Sequence, residues 1–101
     1  FEENQSFDIL YFQQEEKYLM IMIHYFKNGS FFMQEETIVE IKLDLEQTII
    51  EFINQFYLVR NIPDFIVTNF YFTKASDLIV FSLSLPVLVQ PSRLSLVLHL
   101  Y

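Results

Sequence analysis

Carboxylates are the residues of this chain most able to do chemistry. It carries 13 Asp and Glu against 6 Lys and Arg, with no cysteine. Lack of Cys removes thiolate metal sites, disulfides and cysteine nucleophiles. A single glycine, Gly29, excludes a glycine-rich phosphate loop. Acids can clamp divalent metals, and a two-metal phosphodiester centre needs three or four carboxylates converging on ions about 4 Å apart. Asp8, with Glu46 or Glu51, could supply two of them. A third belongs at the end of the strand after the helix, but Asp64 precedes that strand and its far end reads Asn69-Phe70-Tyr71. Glu46 and Glu51 also fall on the polar face of their helix, where solvated acids are ordinary. The sequence therefore predicts no catalytic residue, no metal and no cofactor.

The remaining polar residues point the same way. His24 lies within an apolar stretch and His99 near the end, neither with a second His at ligand spacing or a nucleophile motif beside it. A lone histidine in an apolar strand reads as a packed, hydrogen-bonded core residue. The sequons Asn4-Gln5-Ser6 and Asn28-Gly29-Ser30 are short enough to arise by chance. The basic residues, Lys17, Lys27, Lys42, Arg60, Lys74 and Arg93, are scattered. Arg60, Lys74 and Arg93 are the candidates for weak phosphate contact, against the plainer reading of solubilising surface charge. A net charge of −7 and a pI near 4.5 oppose broad binding of DNA or RNA, which needs clustered Lys and Arg to displace counterions.

Apolar patterning defines the elements that position these groups. Residues 7–12 read as a first strand, and residues 18–26, apolar except for His24, as a central strand covered on both sides. Asn28-Gly29 then signals a type I′ hairpin, with a return strand over 30–34 that resumes after Glu35-Glu36. Leu45, Ile49, Phe52, Ile53 and Phe56 form one helical stripe over about 45–58, with Asp44 as N-cap and Gln47 completing a capping box. Residues 65–72 predict a fourth strand. Residues 73–77 lead into a second, weaker helix through about Ser84, with Ser76 as its cap, and residues 87–89 form a fifth strand. Residues 94–100 fit either a strand or a short helix.

An apolar fraction of 52% and an aromatic fraction of 18% in 101 residues exclude disorder and allow one core. The longest uncharged stretch, 78–92, is broken by Pro86 and Pro91 and falls short of a membrane span. A start at Phe1 without Met, and the apolar end, lead us to expect a single domain over 1–101 cut from a longer cytoplasmic protein. An antiparallel meander followed by two helical crossovers predicts an α/β, ribonuclease H-like mixed sheet in the order 3-2-1-4-5, with helices on its faces. Without converging acids, that fold is expected to be catalytically degenerate.

The run Glu51-Phe52-Ile53-Asn54-Gln55-Phe56-Tyr57-Leu58, followed by Asn61-Ile62-Pro63-Asp64-Phe65-Ile66-Val67, resembles the middle region of UvrC, the incision subunit of bacterial nucleotide excision repair. Phe52, Gln55, Phe56 and Tyr57 fit that family's F-x-x-Q-F/Y-Y phrase, and Ile62-Pro63 with Phe65-Ile66-Val67 fits its I-P-x-E-I phrase. Asp8-Ile9-Leu10 looks like its D-V-I-A strand. After residue 68 the likeness thins: Val89-Gln90-Pro91-Ser92-Arg93 is similar to V-P-x-R-G, but Leu94 replaces the glycine and the following lysines are missing. The resemblance implies a non-catalytic spacer between an N-terminal GIY-YIG nuclease, which makes the 3′ incision, and a second ribonuclease H-like nuclease, which makes the 5′ incision. Its implied partners are the neighbouring domains and, through the parent endonuclease, UvrB and damaged DNA, with no membrane and no small-molecule ligand. The alternative is an interaction module unrelated to repair that docks through its aromatics.

Overall fold

The computed structural model describes residues 5–79 and 87–89. Three strands open the chain, β1 (Phe7–Glu15), β2 (Tyr18–Lys27) and β3 (Ser30–Glu40). Helix α1 (Leu45–Phe56) and strands β4 (Phe65–Thr68) and β5 (Val87–Val89) follow. They build one mixed sheet in the order β3-β2-β1-β4-β5, antiparallel over the first three strands. β4 runs parallel to β1, and β5 parallel to β4.

The β2–β3 turn has Asn28 at φ 52° and Gly29 at φ 77°, the two left-handed residues that a type I′ hairpin requires. At the β1–β2 turn Glu16 takes φ 56°, an uncommon conformation for a residue with a Cβ. Asp44 caps α1 as predicted, its Oδ1 accepting from Gln47 N at 2.8 Å. The capping box is only half made: the Gln47 side chain lies along the helix, its Nε2 donating to Glu51 Oε1 at 3.4 Å, and does not reach back to Asp44 N.

Helix α1 lies on one sheet face, where Ile49, Ile50 and Ile53 pack with Leu10, Ile21 and Ile23 in a core closed to solvent. Phe52 is only half-buried at the helix margin, meeting Phe12 edge-on at 6.4 Å. On the opposite face Phe7 stacks between Phe26, at 4.5 Å, and Phe65, at 4.8 Å. These rings sit side by side because Phe7 pairs with both Phe26 and Phe65 in the strand register.

Several expectations are corrected. β1 and β3 are longer than predicted, since Gln13–Glu15 pair with β2 and the Glu35-Glu36 pair leaves β3 unbroken. An edge strand with a solvated side tolerates such charges. β4 stops at Thr68 rather than continuing to 72, and the Ser76 cap is not used: Ala75–Asp77 is a single 3-10 turn without a side-chain cap. Asn54 of α1 takes that task, accepting from Ile79 N at 2.8 Å and donating to Asp77 O at 3.0 Å. β2 is central, yet Met20 is 37% exposed on the face away from α1, so its second side is not fully covered. The rest of the second helix and the 94–100 segment, with His99, lie outside the described residues.

Candidate functional site

Polar groups gather at the end of the sheet where β1 begins and α1 ends. Strand alternation places Asp8 on the α1 side with Leu10 and Phe12, and Tyr57 follows the last turn of α1. The Tyr57 hydroxyl donates to Asp8 Oδ2 at 2.6 Å, with both residues buried. Burial pushes the Asp8 carboxyl up to about 6, while the Tyr57 hydrogen bond and the Arg60 charge pull it part of the way back. Burial, and then the charge of Asp8, raise the Tyr57 hydroxyl far above its ordinary value.

Beside this pair the Tyr25 hydroxyl donates to Glu35 Oε1 at 3.1 Å; burial and that bond push it up to about 12. Glu35 also meets Arg60, Oε2 to Nη2 at 3.6 Å, and the guanidinium lies 4.2 Å from the centre of the Phe56 ring. Asp8, Tyr25, Glu35, Arg60 and Asn61 line a cleft of about 540 Å³. The cluster can hold a proton on Asp8 up to about pH 6. Its two carboxyls, Asp8 and Glu35, each accept a phenol hydrogen bond and Glu35 also faces Arg60, an arrangement poorly suited to clamping metal ions.

The opposite end of α1 carries the second acid. Glu46 accepts from Thr73 Oγ1 at 2.7 Å, Thr73 N at 2.8 Å and Lys74 N at 2.7 Å. These bonds, the Thr73 hydroxyl first, hold its carboxyl below the usual range. Glu46 and Tyr57, the partner of Asp8, are eleven residues apart, an axial rise of about 16 Å along a helix. The two carboxylates are bonded at opposite ends of α1, which does not suit a pair of metals about 4 Å apart. Where β4 ends, Asn69 turns back onto β1. Its Oδ1 accepts from Phe12 N at 2.8 Å and its Nδ2 donates to Phe12 O at 2.9 Å.

Of the other acids, Glu51 bonds Gln47 on the helix surface and Asp64 Oδ2 accepts from Ser6 N at 2.7 Å. Among the described residues no three His, Cys, Asp or Glu side chains converge on a possible metal position. Arg60 and Lys74 are not brought together: one lies past the end of α1 and the other beside Glu46 at its start. Arg93 lies outside the described residues. His24 is buried as the sequence predicts, but its Nδ1 has no partner; burial depresses its pKa against an opposing hydrogen bond that the ring donates to Gln34.

Residue type alone does not mark Tyr57 or Asn69 as functional. Tyr57 does continue the stripe Ile49–Ile53 at four-residue spacing, and an acid alternating with Leu10 and Phe12 signals a buried carboxyl in need of a donor. Asn69 offers no comparable signal, because its bonds depend on where β4 stops.

An antiparallel meander that passes through a helix into parallel strands beside β1 is the arrangement of ribonuclease H-like domains. The chain belongs to the UvrC Ribonuclease H-like domain family, whose model matches residues 6–83. No curated protein matches the chain. Among the described residues no helix is long and apolar enough to cross a membrane.

Proposed function

We propose that this chain is a non-catalytic, positional domain of a UvrC-type nucleotide excision repair protein, holding nuclease domains of the same parent on damaged DNA. In this reading it is one domain of a longer protein. UvrB and DNA are met through the parent, and no metal or cofactor is held by these residues. The observation that carries the reading is the dispersal of the carboxylates. Asp8 is committed to Tyr57 at one end of α1 and Glu46 to Thr73 and Lys74 at the other. The position that would complete a clamp, at the end of β4, is Asn69, bonded to the β1 backbone. Family membership favours this reading over an interaction module unrelated to repair.

Incubation of the chain with supercoiled DNA and Mg²⁺ or Mn²⁺ tests the absence of chemistry. The expected result is intact plasmid, both for the natural chain and for Asp8→Asn. Metal-dependent nicking that disappears with Asp8→Asn would replace the positional reading with a nuclease.

A further inference from the structure

The sheet face away from α1 has two halves. Around Phe7 it is closed by Phe26 and Phe65, but toward the β1–β2 turn it is open. There the strand register sets Gln13, Met20 and Ile38 in one row and Tyr11, Met22 and Glu36 in the next. Ile38 is 62% exposed and Tyr18 41%. A hollow of about 360 Å³ lies over Tyr11, Met20, Met22 and Ile38, and an adjoining one is walled by Glu15, Glu16 and Tyr18. The floor is apolar and rich in methionine, a side chain that adapts to varied partners. Three carboxylates, Glu15, Glu16 and Glu36, rim it. Lys17, beside them in sequence, lies 5.5 Å from the centre of the Tyr18 ring.

We propose that this open half-face seats a basic amphipathic helix of a partner protein, its apolar stripe on Met20, Met22 and Ile38 and its Lys or Arg residues against Glu15, Glu16 and Glu36. Width argues for a helix. The apolar floor spans three strands, from Tyr11 on β1 to Ile38 on β3, about 10 Å across. A strand added at the β3 edge would leave Tyr11, Met20 and Met22 open, whereas a helix of about 10 Å diameter covers them. Charge argues for a basic partner. A second copy of this chain would bring its own carboxylates against the same rim, in a molecule of net charge −7, and like charges across an interface disfavour association. The inference is independent of the positional role in repair.

The test is fluorescence anisotropy of a labelled peptide of about 18 residues, roughly five helical turns, with leucines in an i, i+3, i+4, i+7 stripe and lysines elsewhere. The 101-residue chain should bind it with micromolar affinity. A scrambled peptide of the same composition, and one with glutamates in place of lysines, should each bind about ten-fold more weakly or worse. Ile38→Ser with Met20→Ser should cost a similar factor, the amount expected for losing buried apolar contact. Ile38→Ser alone decides the matter if the double variant does not fold, since Ile38 is largely exposed on an edge strand. Glu15→Gln with Glu36→Gln should weaken binding and flatten its salt dependence. Equal binding of the scrambled peptide, or unchanged affinity of the Ile38→Ser chain, would overturn the proposal and leave only net-charge attraction. A dimer in sedimentation equilibrium that Ile38→Ser dissolves would also overturn it, by giving the face to a second copy.

Discussion

Asp8→Asn should stabilise this protein at neutral pH, although it alters a buried, hydrogen-bonded residue. The carboxyl titrates at about 6 in the folded chain against an ordinary value of 3.8. Between those values the folded state holds a proton that the unfolded state has released, so stability falls as pH rises through the window and levels off above it. About two pKa units correspond to at most about 3 kcal/mol. Water at the mouth of the cleft reduces this, so a gain of about 1–2 kcal/mol from Asn is the working figure. Asn keeps an acceptor for the Tyr57 hydroxyl, 2.6 Å away in the natural chain, and carries no charge to desolvate. Urea unfolding of both proteins by far-ultraviolet circular dichroism, at pH 4, 5, 6 and 7, isolates the effect as a difference. The two should be nearly equal at pH 4 and diverge toward pH 6 and 7, with Asn the more stable. A pH-independent difference, or a loss at pH 7, would refute the reasoning. It would mean that the ionised carboxylate is well solvated or is favoured by Tyr57 more than burial disfavours it.

Ile53→Ala removes a fully buried side chain between α1 and the sheet, and should cost about 3 kcal/mol in the same unfolding assay; a cost below about 1 kcal/mol would show that α1 is not the core helix. Asn69→Ala strips Phe12 N and O of their partners and should cost about 1–3 kcal/mol, with faster amide exchange at Phe12. Duplex DNA titrated at low salt should show no binding, because Arg60 faces Glu35 and Lys74 adjoins Glu46. Micromolar affinity that falls steeply with salt and is lost in Arg60→Ala would reveal a phosphate-binding face.

The elements with strong periodicity were legible from the sequence, and their margins were not. Asn28-Gly29 fixes its turn because two successive positive φ values admit few other residues. Asp44 fixes the start of α1 because its side chain reaches Gln47 N locally. The errors arose where long-range bonds decide. β4 ends four residues early because Asn69 substitutes its side chain for ladder bonds to β1. The turn before Ile79 is capped by Asn54, 25 residues away in sequence, rather than by Ser76. The apolar run 18–26 implied burial on both sides, but Met20 and Tyr18 remain open, and hydrophobicity by itself does not distinguish a covered face from one kept for a partner. Of the candidate acids, residue type showed which could ligate a metal. Only the geometry showed that each already has another bond.

On the proposed reading, that engagement is what lets the fold be kept without metal chemistry. Placing a metal clamp at the end of β4 would require a carboxylate at Asn69, but a carboxylate there cannot donate to Phe12 O as the amide does. It would also require a ligand from β1 at the same level, where Phe12 is packed in the core against the edge of Phe52. Glu46 would have to leave Thr73 and Lys74, freeing two backbone N–H groups that shape the turn after β4. Each change that assembles a metal site thus removes a bond or contact that joins β1, β4 and α1. The polar residues at both ends of the helix serve the frame, and a frame held in this way suits a domain that sets the position of others.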